Sequence, residues 1–140
     1  MKKLKTTLTA AVLCLFAFNA YSANTPVDNS NKLVILWTSD NPELAKTMVF
    51  MYAQNALRHN WFEEVTLIIW GPSARLAAEN EDIQARIAQL KDAGVRIQVC
   101  VACARMLEVD DELREAGYEV KGMGAPLTYF LKHNYRVLTL

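Results

Sequence analysis

The segment KLVILW, Lys32 to Trp37, is followed directly by Thr38, Ser39, Asp40, Asn41 and Pro42. An unbroken apolar run after a single lysine, with no polar residue alternating through it, is the pattern of a strand buried on both faces, as in a parallel sheet. The residues after it are helix-capping and turn types, so the strand hands over to a helix. From Pro42 to about Asn60, Leu44, Met48, Met51, Tyr52 and Ala56 fall on one stripe at spacings of three and four, which predicts a long amphipathic helix.

The same strand-then-helix unit recurs downstream, which is the signature of βαβ architecture. Val65 to Trp70 (VTLIIW) reads as a second strand stopped by Gly71 and Pro72. Ile83, Ile87 and Leu90 mark the next helix, with Glu81 and Asp82 in its first turn, where the helix dipole favours acids, and Gly94 after its last. Val95 to Val101 (VRIQVCV) is a third strand, and Ala104 to Ala116 is helical with a break near Val109 and a stop at Gly117. Tyr118 to Lys121 is a fourth strand, Pro126 starts a short helix, and Tyr135 to Leu140 (YRVLTL) is a fifth strand. The expected fold is α/β, flavodoxin-like or Rossmann-like: a mainly parallel five-stranded sheet with helices on both faces and right-handed crossovers. In such sheets ligands and chemistry gather at the carboxyl ends of the strands. Here those ends are Thr38 to Asn41, Gly71 to Ser73, Cys100 to Cys103 and Gly122 to Pro126.

Upstream of the domain, Lys2, Lys3 and Lys5 precede an apolar stretch from Leu8 to Ala20, and Ala20, Tyr21, Ser22 and Ala23 supply small residues for a cut. This is the composition of an export signal, with cleavage expected near Ser22. The apolar stretch falls short of the ~20 residues that a bilayer span needs, and Asn24 to Asn31 forms a polar tether. Cys14 is preceded by Leu13, where a lipoprotein signal wants a small residue, so no membrane anchor is expected. The organisation is therefore 1–22 signal peptide, 23–31 tether and 32–140 domain.

Cleavage removes three lysines and no acid, which turns a balanced chain of 15 basic and 15 acidic side chains into one of net charge −3. No basic cluster remains on which to build a nucleic-acid or anionic-membrane surface. If the host is a bacterium, the destination is its oxidising periplasm, where two remaining cysteines are expected to be bridged, metal-bound or chemically employed.

Those two, Cys100 and Cys103, are the candidate catalytic residues. They stand where the third strand gives way to a helix, and unpaired backbone N–H groups at a helix start favour thiolate, the nucleophilic form. Arg105 offers a positive charge close by. Their spacing permits a disulfide, so a persulfide or sulfenic acid on one can be resolved by the other. Against this, a cysteine alternating with Val99 and Val101 is also what a small buried apolar residue looks like. Zinc would need His59 and His133 as further ligands, and no spacing recommends them. Both histidines close helices, where electrostatics alone accommodates them. The loop Gly122 to Pro126 lacks a dinucleotide fingerprint, and its free amides make it at most an anion cradle. Trp37, Trp70 and the methionines of the first helix read as core or subunit interface, and no cofactor is expected.

The TSDNPELA loop ahead of a long first helix, the segment VCVACARML (Val99 to Leu107) and the ending PLTYFLKHNYRVLTL resemble the DsrE/DsrF-like family, whose members include sulfur-relay subunits. The resemblance spans nearly all of the domain and implies a flavodoxin-like fold and assembly into homotrimers or hexamers. It also implies sulfur handling by a cysteine near a subunit boundary, and Cys100 stands in the place of the persulfide-bearing residue. Cys103 falls where some relatives have alanine, and Arg105 is followed by Met106 where many have glycine. The leading expectation is a periplasmic sulfur-binding or sulfur-transfer protein in which Cys100 receives sulfane sulfur and Cys103 protects or releases it by forming a disulfide. Its partners would be a sulfur donor or acceptor protein. Dithiol/disulfide exchange through the same pair, and a non-enzymatic ligand-binding or assembly module with a structural cysteine pair, remain open beside it.

Overall fold

The computed structural model describes residues 28–140, so the expected export signal and the first part of the expected tether lie outside the described residues. Five strands, β1 (Lys32–Trp37), β2 (Glu64–Ile69), β3 (Arg96–Cys100), β4 (Glu119–Lys121) and β5 (Arg136–Thr139), form one sheet in the order β4-β3-β2-β1-β5. Every neighbouring pair is parallel. Between β1 and β2 run α1 (Pro42–Leu44), a π-helical segment (Ala45–Phe50) and α2 (Met51–Arg58). Next come α3 (Ser73–Glu79) and α4 (Glu81–Asp92), then α5 (Val101–Met106) and α6 (Asp110–Glu115), and finally α7 (Gly124–Lys132).

The strand order decides which face each helix covers. From β1 to β4 the chain steps one place at a time in a single direction, so right-handed crossovers put all three connections on the same face. The last connection travels back past β3, β2 and β1 to reach β5, and the same handedness sends α7 to the opposite face. Two apolar clusters follow. The larger joins Leu33, Ile35, Trp37, Leu67, Ile69 and Val99 to the first three connections, and the smaller joins Val34, Ile68 and Cys100 to Met123 and Phe130 around α7. Alternation along each strand distributes the side chains between them.

The first helix departs from its expected phase. The buried stripe is Ala45, Val49, Phe50, Ala53 and Ala56, whereas Met48 and Met51 are each about half exposed. Ala45, Ala53 and Ala56 leave room for the helix to lie close on the sheet. The π-helical segment carries an extra residue per turn, so both Val49 and Phe50 reach the core, and Phe50 meets Trp37 edge-on at 5.2 Å. The cap is as expected: the Asn41 side chain accepts from the N–H groups of Glu43 and Leu44.

A second departure is α3, a helix between the stop at Gly71 and Pro72 and the one marked by Ile83, Ile87 and Leu90. Its buried side chains are Ser73 and the small residues Ala74, Ala77 and Ala78, with no large apolar stripe to announce it. Ser73 is fully buried and ties the carboxyl ends of two strands together. Its hydroxyl donates to the Trp37 carbonyl at 2.7 Å and accepts from the Trp70 N–H at 3.0 Å. Similarly, the Thr38 N–H and hydroxyl both donate to the Leu140 carbonyl, which closes β5 onto β1. Replacing Ser73 by alanine removes these bonds while the Trp70 N–H keeps its own bond to the Trp37 carbonyl, and is expected to lower unfolding stability by about 1 kcal/mol, measured by urea denaturation.

Candidate functional site

Strand alternation explains where the first thiol points. In β3, Ile97 and Val99 enter the large core, so Gln98 and Cys100 face the α7 side. Cys100 is the last residue of β3 and the N-cap of α5, with extended backbone (φ −71°, ψ 110°). Only 4% of its surface is exposed, and it packs with Ile68, Met123 and Phe130.

Cys103 follows in the first turn of α5 and sits at the seam where both apolar clusters meet. It is partly exposed, and both cysteines are free thiols. Three groups bear on its sulfur. The Cys100 side chain, the backbone N–H of Gly71 in the turn after β2 and its own backbone N–H lie near enough to act on its titration. Gly71 takes a left-handed conformation, φ +68°, which favours glycine in this turn. Burial, followed by the Cys100 contact, pushes the Cys103 thiol above the ordinary cysteine value, and the two amides only partly offset it. The expected thiolate preference at the helix start is therefore outweighed at Cys103 by desolvation. A six-residue helix offers little dipole to oppose it.

The remaining candidates are not brought to the thiols. Arg105 pairs with Asp110 at 3.3 Å, and Arg114 holds the same carboxylate at 2.8 Å. His133 ends α7, stacks on Tyr129 at 3.9 Å and has its carbonyl bonded by Asn29, which places it at the amino edge of the sheet. His59 ends α2 and stacks on Trp61, just ahead of β2 and again at the amino edge. Helices that return to the next strand must end there, so neither imidazole can serve thiols at the carboxyl edge. Among the described residues no group of three or more His, Cys, Asp and Glu side chains gathers to hold a metal. Gly124 and Pro126 both fall within α7, and Met123, just ahead of it, is buried against Cys100.

Beside the pair, on the large-core side, an open groove of about 540 Å³ is lined by Asp40, Pro72, Arg75, Leu76, Glu79, Asn80 and Leu107. Neither cysteine lines it. Arg75 reaches the Leu107 carbonyl, and the Leu107 N–H bonds the Cys103 carbonyl, so one wall of the groove is continuous with the end of α5. Gly71 falls at one of the strand ends expected to gather chemistry, but its place beside the thiols is not legible in the sequence. Its GP dipeptide signalled a strand stop, but nothing in it showed that its amide would meet a sulfur thirty-two positions on.

A wholly parallel α/β sheet with a dithiol at the carboxyl end of its third strand defines a flavodoxin-like protein with cysteine chemistry in reach. The chain belongs to the DsrE/DsrF-like family, whose model matches residues 31–140. Of solved structures, the conserved protein of unknown function BT1422 from Bacteroides thetaiotaomicron is 32% identical, with a TM-score of 0.77 over 81% of this chain and 98% of that one. The protein of unknown function MTH1491 from Methanobacterium thermoautotrophicum shares the fold, with a TM-score of 0.66 at 15% identity over 78% of this chain and 98% of that one. No curated protein matches.

The raised titration of Cys103 has a direct readout. Its alkylation rate is expected to climb with pH to a midpoint above the ordinary cysteine value of 9.0, followed by mass spectrometry of iodoacetamide adducts in a Cys100→Ser background, where only Cys103 of the pair reacts. Because the folded state then holds the proton more tightly than the unfolded chain, this thiol favours folding below the ordinary cysteine range, and that contribution is lost as pH rises through the folded value. Gly71→Ala, which strains a positive φ by roughly 1 kcal/mol and swings the amide, is expected to raise the midpoint further.

Proposed function

We propose that this protein binds and transfers sulfane sulfur, carrying it as a persulfide on the Cys100–Cys103 pair. The observation that carries the reading is two free thiols three residues apart where β3 gives way to α5, at the carboxyl end of the sheet. Membership of a family that resemblance ties to sulfur relay points the same way. Cys100 occupies the family's carrier position by that resemblance. Cys103 adds a second thiol able to close a disulfide when sulfur leaves, so the pair can both hold and release it. The reaction needs no cofactor, since a persulfide passes from thiol to thiol by displacement at sulfur.

The N-terminal signal supports a periplasmic location, with the mature chain starting near residue 23. There the donor or acceptor is an exported protein or a small persulfide. The family resemblance supports a homotrimer or hexamer. Half-exposed Met48, Met51 and Trp61 give the surface apolar area that a subunit contact would cover.

Protein taken from the periplasm under thiol-trapping conditions without reductant is expected to carry added sulfur on the pair, read by intact mass and cysteine-peptide mapping, with its N-terminus near residue 23. A bare Cys100–Cys103 disulfide that never acquires sulfur from a polysulfide would overturn the reading in favour of dithiol exchange. The double variant Cys100→Ser/Cys103→Ser is expected to fold, by circular dichroism, and to lose all sulfur loading on the domain. A variant that instead loses stability while a partner or ligand still binds would make the pair a structural bridge.

A further inference from the structure

We propose that Lys121 is the counter-ion of the sulfur carried on Cys100, and that its ammonium leaves Glu119 to pair with the persulfide anion. This rests on the sulfur-transfer reading above and adds to it a residue that the cysteine motif does not contain. Strand register places it there. β4 runs parallel to β3 with Glu119 beside Gln98, Val120 beside Val99 and Lys121 beside Cys100. Residues paired in this way send their side chains to the same face of the sheet. The first two pairs do so: the Gln98 side chain donates to the Glu119 carboxylate at 2.8 Å, and Val99 and Val120 both enter the large core. The third pair therefore sets the stem of Lys121 beside Cys100 on the α7 face, one strand spacing of ~4.8 Å away. Arg105, the cation within the cysteine segment, is engaged by Asp110 instead.

At rest the lysine is occupied. Its Nζ lies 2.6 Å from Glu119 Oε1, and Glu119 Oε2 is held by Gln98, itself only 4% exposed. Glu119 stands two residues back along β4, so the pair folds the lysine toward the amino edge and off the thiol. β4 is an edge strand and the Lys121 side chain is about a third exposed, so swinging its flexible stem to the strand end takes rotamer changes and no backbone movement. Loading supplies the reason to move. Cys100 lies against Ile68, Met123 and Phe130, where negative charge without a partner is costly. A persulfide ionises more readily than the thiol it is built on, so added sulfur brings charge to this apolar corner. The step balances with a hydropersulfide donor, R–S–SH. The Cys100 sulfur attacks the outer sulfur of the donor, the new S–S bond forms as the old one breaks, and the thiol proton leaves with R–SH. The proton of the new Cys100–S–SH passes to solvent, and Lys121 pairs with the anion that remains. The sulfane sulfur keeps its oxidation state throughout.

The full-length chain, reduced and desalted, is exposed to glutathione hydropersulfide and quenched over time. Cys100 and Cys103 lie on one tryptic peptide, residues 97–105, so fragment ions assign the added sulfur and separate it from Cys14. Lys121→Met keeps the stem and removes the charge, and is expected to hold about tenfold less sulfur on Cys100, the effect of one opposite charge on a neighbouring ionised group. Lys121→Arg is expected to restore wild-type loading. Glu119→Gln frees the lysine and is expected to load at least as well as wild type. Were the Lys121–Glu119 pair only a strut of the sheet edge, Glu119→Gln would lose as much as Lys121→Met. Wild-type loading in Lys121→Met, an equal loss in Lys121→Arg, or an equal loss in Glu119→Gln would each overturn the assignment.

A second readout needs no sulfane sulfur. In Cys103→Ser, Cys100 is treated with two methanethiosulfonate reagents of matched size, one carrying a sulfonate and the other a quaternary ammonium, and the adducts are read on the same tryptic peptide. A cation beside Cys100 is expected to favour the sulfonate, and adding Lys121→Met to abolish that preference. If the wild-type chain takes no sulfur yet the preference depends on Lys121, the sulfur reading fails while the placement of the cation beside the thiol stands. Equal selectivity with and without Lys121 would remove the placement as well.

Discussion

Crossover handedness is the constraint on which the rest of this structure hangs. Three consecutive steps in one direction stack three connections on one face of the sheet, and a single return step leaves α7 alone on the other. The large core therefore gathers residues from β1 to β4 and most of the helices, while the small core depends on a few contacts around α7. The central strands β1 and β2 bury both faces, which is why Leu33 to Trp37 and Val65 to Ile69 are apolar but for Thr66.

That asymmetry creates the environment of the thiols. At the end of β3 the period of two sends Cys100 to the thinly covered face, and three residues of helix bring Cys103 round to the seam between the two cores. One thiol is thus shielded by Met123 and Phe130, and the other meets the turn after β2. Two cysteines at CxxC spacing acquire different access from nothing more than the change of period from strand to helix.

β1 and β2 were legible as nearly uninterrupted apolar runs, the others as short apolar or β-branched stretches between helical segments, and all five fall within a residue or two of where the sequence puts them. Capping residues were legible for the same local reason, as Asn41 and the acids of α4 illustrate. What escaped was set by packing at a distance. Met48 and Met51 look like core because they are large and apolar, yet the close approach of helix to sheet selects Ala45, Ala53 and Ala56. The helix α3 hides for the same reason, since its contacts are made by small side chains that carry no periodic signal. At the site, the sequence located the cysteine pair and its place at a strand end. It could not give the pair's relative access, because that depends on α7, which returns from the far side of the sheet, and on an amide more than thirty residues upstream.

The π-helical segment bears on how this chain can change in length. Its wider turn holds a surplus residue, and removing that residue lets the helix run on in ordinary α form with α2 still in phase. Adding a residue instead rotates all that follows by roughly 100°, which would carry Ala53 and Ala56 off the sheet and bring bulkier neighbours under it. Between Ala45 and Phe50 this fold can thus absorb a one-residue deletion but not a one-residue insertion. The loops at the amino edge, where the helix has already turned away at His59 and Asn60, can lengthen without disturbing the thiols at the opposite end.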